Sequence, residues 1–235
     1  MISSPDFNRL RISKAIGIPP MPPPMITISA MLFTLRYLVR NLGQNAQNEA
    51  DLAQHHVDSC FCFGAGWIGY NRLMSTEISR LRSQLSDALL HRRQKVCTAE
   101  SCTGGLIAKT FTDLAGSSDW FDRGFVTYSN AAKHEMLGVS ASLIEDYGAV
   151  SEPVANAMAS GALRRSEADY AIAVTGVAGP GGGSDEKPVG TVWIAVASAD
   201  HLEAQCHQFD GDRAAVREAT LVAGLEMLIE RVSHS

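Results

Sequence analysis

From residue 75 onward the apolar positions switch between two periods, and the switching lays out an alternation of helices and strands. Ile78, Leu81, Leu85 and Leu89 recur at helical spacing, so an amphipathic helix is expected over 75–90, with Ser75 or Thr76 as its N-cap. A short apolar run predicts a strand at about 94–99, followed by a turn at Ser101 and a helix to about Leu114. A strand is expected at 123–128, short helices around 131–137 and 140–146, and a longer helix over 152–165. Pro153 suits the first turn of that helix, where its missing N–H has no helical partner anyway. Strands at 169–175, 190–198 and 202–209 follow, the last two joined by a hairpin at Ser198-Ala-Asp-His201. A final helix runs from about Asp212 to Val232, with Ala215, Ala219, Val222, Leu225, Leu228 and Ile229 mostly on one face. Helices alternating with strands early, and an antiparallel pair late, predict a three-layer α/β/α sandwich on a mixed sheet.

Residues 1–73 carry no such pattern. Pro19-Pro-Met-Pro-Pro-Pro24 breaks any regular element, and the apolar run Met25 to Leu35 meets Arg36 and Arg40 too soon to span a bilayer. Arg9, Arg11 and Lys14 ahead of that run loosely imitate a secretory signal, without a convincing small-residue cleavage site. Residues 41–56 are polar, and 58–71 mix Cys, Phe, Gly and Trp aperiodically. The chain is therefore read as a poorly structured extension over 1–73 and one domain over 74–235, with Met74 as the start of the native protein. An anchoring or regulatory arm is the rival reading of the extension.

Composition narrows the setting. A 46% hydrophobic and 19% charged content is ordinary for a globular domain. The net charge of −5 gives no general attraction to nucleic acid or anionic membrane, so any anion site is local. Five scattered cysteines (60, 62, 97, 102 and 206) suggest no disulfide framework and point to a reducing cytoplasm. Cys60-Phe-Cys62 lacks a spaced partner pair, and Asp185-Glu186 lacks partner carboxylates, so no metal is expected.

The chemistry concentrates in Thr98-Ala-Glu-Ser-Cys-Thr-Gly-Gly105. Such a strand-to-helix turn can hold Ser101 exposed as a nucleophile while backbone N–H groups around Cys102, Thr103 and Gly104 receive an oxyanion. It can equally be a small-residue turn that lets a helix pack close to a sheet. Serine needs a base, and no histidine lies within the motif-bearing blocks. Tyr128 and Lys133 are better candidates: Tyr128 is expected to end a strand, and Lys133 to sit in the first turn of the next helix, where ammonium is disfavoured. Both also fit a core strand and a surface helix. Cys102 is the rival nucleophile. Glu100 suits three roles: orienting Lys133, orienting a substrate amide, or forming a surface ion pair. In Thr175-Gly-Val-Ala-Gly-Pro-Gly-Gly-Gly-Ser184 the glycines allow N–H groups to converge on an anion, with Arg213 and Lys187 as candidate charged contacts. The spacing fits neither a Walker A nor a Rossmann fingerprint.

Four blocks stand in a telling order: the Ser101 turn, Gly124-Phe-Val-Thr-Tyr-Ser-Asn-Ala-Ala-Lys133, Gly148-Ala-Val-Ser-Glu-Pro153, and Ala173 to Trp193 with Gly211-Asp-Arg213 after it. From roughly Met74 to the C-terminus they closely resemble the C-terminal domain of the CinA family. Residues 1–73 do not match the larger N-terminal domain that many members carry. The resemblance implies the α/β/α fold, a Ser101, Tyr128 and Lys133 catalytic set, and deamidation of nicotinamide mononucleotide to nicotinic acid mononucleotide and ammonia through a serine acyl-enzyme. It implies no cofactor and a small nucleotide substrate held around Cys102, Thr103, Gly104, Gly105, Asn130, Thr175, Gly176, Gly182, Gly183, Ser184 and Arg213. No nucleic-acid or membrane partner is expected, and a homo-oligomer stays open. The alternatives are an ADP-ribose pyrophosphatase-related activity, or a non-catalytic nucleotide-binding module linked to competence or damage induction.

Overall fold

The computed structural model describes residues 65–234, with side chains from Leu73 onward. Five strands form one sheet: β1 (Val96–Glu100), β2 (Phe121–Val126), β3 (Tyr170–Gly176), β4 (Thr191–Ala197) and β5 (Leu202–Gln208). Their order is β2-β1-β3-β4-β5. β1 runs parallel to both its neighbours, whereas β4 is antiparallel to β3 and β5. The helices are α1 (Ala65–Arg92), α2 (Leu106–Thr112), α3 (Asn130–Leu137), α4 (Ala141–Tyr147), α5 (Glu152–Arg164) and α6 (Arg213–Ser233).

The period of two along the central strands sorts side chains by size onto the two faces. Ile172, Val174, Val192, Ile194 and Val196 bury themselves under α1, α2 and α6, against Leu85, Leu89, Phe111, Leu225 and Leu228. Ala99, Ala171, Ala173, Ala195 and Ala197 line the other face and admit α5 closely through Val154, Met158 and Ala162. The expected three-layer sandwich on a mixed sheet is what forms. No helix among the described residues is long and apolar enough to cross a membrane.

Most boundaries agree with the pattern within two residues, and the Ser198–His201 hairpin closes with Ser198 N–H donating to His201 O at 2.8 Å. Two differences matter. The first helix begins at Ala65 and runs through Met74, so the helix does not break at the expected 73/74 boundary. Ser75 is not a cap: its carbonyl accepts from Ser79 Oγ inside the helix. The readings placed on residues 1–64, including the proline cluster and Cys60 and Cys62, lie outside the described residues. In addition, β2 ends at Val126 rather than 128, which leaves Tyr128 in the loop beyond the strand.

Candidate active site

β1 ends on Glu100, and the turn to α2 is built around that side chain. Glu100 is 0% exposed. Its Oε2 accepts from Thr103 Oγ1 at 2.7 Å, Gly105 N at 2.9 Å and Ile107 N at 3.1 Å. Its Oε1 accepts from Ala108 N at 2.8 Å and Thr98 Oγ1 at 3.3 Å. It is therefore an internal cap for the short helix, not the surface ion pair or the partner of Lys133 considered from sequence. Hydrogen bonds to a charged acceptor contribute about 1.5–3 kcal/mol each, and donors left unmet in a buried site cost a similar amount. Gly104 and Gly105 take positive φ (58° and 93°), the left-handed region that a sharp reversal needs and side chains disfavour. Arg217, from α6, donates from Nε (3.2 Å) and a terminal nitrogen (2.6 Å) to the Thr103 carbonyl.

This packing uses up most of the turn's amides. Ser101 N donates to Val174 O at 3.0 Å and Gly104 N to Ser101 O at 3.1 Å, while Gly105 N belongs to Glu100. Gly104, expected to help hold an oxyanion, has its N–H committed within the turn. Among residues 101–105, only the amides of Cys102 and Thr103 find no carbonyl or carboxylate acceptor.

Ser101 meets Lys133 across the sheet end. Lys133 Nζ lies 3.0 Å from Ser101 Oγ, 3.0 Å from the Thr127 carbonyl and 3.5 Å from the Tyr128 carbonyl. Ser129 caps α3 by accepting from Ala132 N, which sets Lys133 in the first turn as expected, and the side chain is only 1% exposed. None of the ion pairs among the described residues includes it. Burial pushes its pKa below the ordinary lysine value, toward the neutral amine that can take a proton. Burial acts oppositely on Cys102, whose thiol is pushed up to about 11 even though the N–H groups of Cys102 and Thr103 favour its thiolate. A thiol that stays protonated is a poor rival to Ser101.

Tyr128 takes a different place. Its ring is 60% exposed rather than half-buried in a strand, and its hydroxyl accepts from an Arg213 terminal nitrogen at 3.0 Å. The other terminal nitrogen of Arg213 donates to Gly179 O at 2.9 Å, tying the Gly-rich loop to α6. A cavity of about 240 Å³ opens between these parts. Ser101, Cys102, Tyr128, Asn130, Lys133, Thr175, Gly176 and Arg213 line it, which brings together eight of the residues singled out from sequence.

Six others stand elsewhere. Thr103 is buried beneath the turn and Gly104 and Gly105 shape it, away from the cavity wall. Gly182, Gly183 and Ser184 lie in the exposed tip of the Gly-rich loop, where Ser184 and Lys187 close a turn on each other. Lys187 Nζ donates to Tyr147 O at 2.9 Å. Three wall residues were missed: Ala149, Val150 and Ala178. Thr175 Oγ1 donates to Ala149 O at 2.7 Å, so the Gly148–Pro153 block noticed in the sequence supplies a wall of the cavity.

A serine at a strand–helix turn thus lies within hydrogen-bonding distance of a buried lysine at the end of a mixed sheet, an arrangement of nucleophile beside base that acyl transfer could use. The profile of the CinA C-terminal domain matches residues 78–232, and the chain belongs to that family. It is 57% identical over 150 residues to the nicotinamide-nucleotide amidohydrolase PncC of Enterobacter agglomerans, covering 63% of this chain and 92% of the relative. To the Escherichia coli K12 protein of the same name it is 52% identical over 159 residues, covering 66% and 95%. Among solved structures it matches the competence/damage inducible protein CihA of Agrobacterium tumefaciens with a TM-score of 0.65 at 47% identity, covering 66% of this chain and 94% of that one.

Proposed function

We propose that this protein is a nicotinamide-nucleotide amidohydrolase that converts nicotinamide mononucleotide and water to nicotinic acid mononucleotide and ammonia. The names of the amidohydrolase relatives support the substrate. The observation that carries the mechanism is the 3.0 Å contact between Lys133 Nζ and Ser101 Oγ in a buried pocket. Neutral Lys133 takes the Ser101 proton as Oγ attacks the carboxamide carbon, and the carbonyl oxygen becomes an oxyanion facing the Cys102 amide at the cavity wall. The resulting ammonium returns the proton to the nitrogen that leaves as ammonia. Water then gives a proton to Lys133 and attacks the acyl carbon, and Lys133 reprotonates Ser101 as the acid departs.

Every proton has Lys133 as its carrier, so Tyr128 and Arg213 are assigned to the substrate. The pyridinium charge makes the carboxamide more electrophilic, and the 5′-phosphate provides remote binding energy through Arg213 and the Gly-rich loop. We place this chemistry in the cytoplasm, where phosphorylated nucleotides are retained, with a small molecule as the only required partner.

Ammonia release from nicotinamide mononucleotide, set beside nicotinamide riboside and nicotinamide, tests the reading. The mononucleotide is expected to lead both by at least about tenfold in kcat/KM. No ammonia from the mononucleotide would refute the activity, and equal kcat/KM for the riboside would refute the phosphate contact.

A further inference from the structure

We infer that Glu100 is a positioning residue for the reaction. Its carboxylate holds the Ser101–Gly105 turn in the one shape that brings Ser101 Oγ to Lys133 and leaves the amide of Cys102, at the cavity wall, without a carbonyl or carboxylate acceptor. The inference rests on Ser101 being the nucleophile.

The carboxylate gathers donors from both sides of the nucleophile. Thr98 precedes Ser101, Thr103 lies within the turn, and the amides of Gly105, Ile107 and Ala108 follow it. No cation pairs with Glu100 among the described ion pairs, so this fully buried charge is balanced by N–H and O–H groups alone. Each of those donors loses its acceptor if the carboxylate leaves. Thr103 is fixed twice, by its hydroxyl to Glu100 and by its carbonyl to Arg217. Its side chain is held inside the turn and its carbonyl, part of the following Thr103–Gly104 peptide, is held at the exit, so the turn is pinned on both sides of Thr103. Glu100 thereby does two jobs that sequence alone leaves separate. It ends the orphaned state of the α2 amides, and it prevents those amides or the Thr103 hydroxyl from competing for the nucleophile.

Glutamine separates charge and acceptor capacity from size. Its amide has the volume of the carboxylate but replaces one oxygen with an NH₂ group, which would face donors in either orientation: Ala108 N on one side, or Thr103 Oγ1, Gly105 N and Ile107 N on the other. The turn must shift to relieve that opposition. Misplacing a reacting group by about 1 Å costs on the order of a hundredfold in rate.

The test is steady-state ammonia release by Glu100→Gln, with folding followed by circular dichroism and Ser101→Ala as the control. The expected result is a folded protein whose kcat drops about a hundredfold while KM stays within about twofold of the wild type. The acid limb of its pH–rate profile should stay in place, because burial lowers the Lys133 pKa and Glu100 makes no contact with it. Wild-type kcat, a loss expressed only in KM, or a loss equal to the unfolded fraction would overturn the inference. If Glu100→Gln does not fold, Arg217→Met removes the second hold on Thr103 and is expected to lower kcat about tenfold at constant KM. Wild-type kcat in that variant overturns the inference equally. An active Ser101→Ala protein would instead refute the nucleophile, and with it the reading on which this role rests.

Discussion

The Ser101 turn and the Gly-rich loop look alike in composition, being short runs of glycine and hydroxyl residues after a buried strand, yet the fold treats them oppositely. The turn is buried and fixed from three sides, by Glu100 within, Arg217 from α6 and Val174 on β3. The loop is held at its ends, where Arg213 takes Gly179 O, Lys187 takes Tyr147 O and Gly190 N donates to Val177 O. Between those ends, residues 180–186 are exposed. The difference is one buried acceptor. A carboxylate inside the turn collects its amides, whereas the loop has no such centre and leaves its glycine amides to solvent or to a ligand. Chemistry needs fixed distances and recognition needs room, so substitutions in the turn should act on kcat and those around the loop on KM.

The largest effect should come from Ser101→Ala, which removes the nucleophile and should lower ammonia release by at least about a thousandfold with the fold intact. Cys102→Ala keeps the backbone amide and should retain appreciable turnover. If the cysteine variant lost more than the serine variant, the assignment within the turn would be reversed.

Lys133 comes next. Lys133→Arg should be nearly as damaging as Lys133→Ala, because arginine stays protonated at working pH. Lys133→Met should be inactive and yet at least as stable as the wild type, since burying an amine that no carboxylate pairs with opposes folding. Thermal melts beside rates check both halves. An active arginine variant would exclude a neutral base.

On the loop side, Arg213→Gln should raise KM for the mononucleotide about tenfold or more and change kcat less. It should also erase most of the preference over the riboside. A kcat loss at constant KM would move Arg213, and Tyr128 with it, into the chemical step.

The smallest effect concerns stability alone. Glu226 on α6 has its pKa raised by burial from 4.5 to about 7. The unfolded chain loses that proton first, so the stability this group supports is present below about pH 4.5 and declines as pH rises to about 7. Glu226→Gln should flatten that decline in denaturant titrations and leave turnover alone. An unchanged slope would show that the side chain finds compensation.

The same contrast explains what could be read from the chain. Periods of 3.6 and 2 placed nearly every element, because burial acts on side chains in sequence order. Ser101, Lys133, Thr175 and Arg213 stand in motifs that single them out, and the structure brings all four to one cavity. Glu100 was not: a carboxylate fully buried by its own turn looks like a surface acid until the donors around it are seen. Tyr128 was expected to end β2, but the strand stops two residues earlier and its hydroxyl reaches Arg213, a contact spanning 85 positions that no local pattern shows. Ala149 and Val150 lay in a noticed block, but small apolar wall residues give no chemical signal. Polar Ser75 and Thr76 suggested a helix start, whereas the helix continues through them from Ala65.

The central claim is that buried Lys133 is a neutral base for Ser101. The measurement that meets it most directly sets the pH dependence of kcat/KM for ammonia release beside the titration of Lys133 Nζ, followed by nitrogen-15 NMR of lysine-labelled protein. The account predicts that Lys133 titrates below its ordinary 10.5, and that kcat/KM falls as pH drops through that same midpoint, because protonation removes the base. A Lys133 midpoint at or above 10.5, or a rate that stays flat while Lys133 takes up its proton, would contradict it.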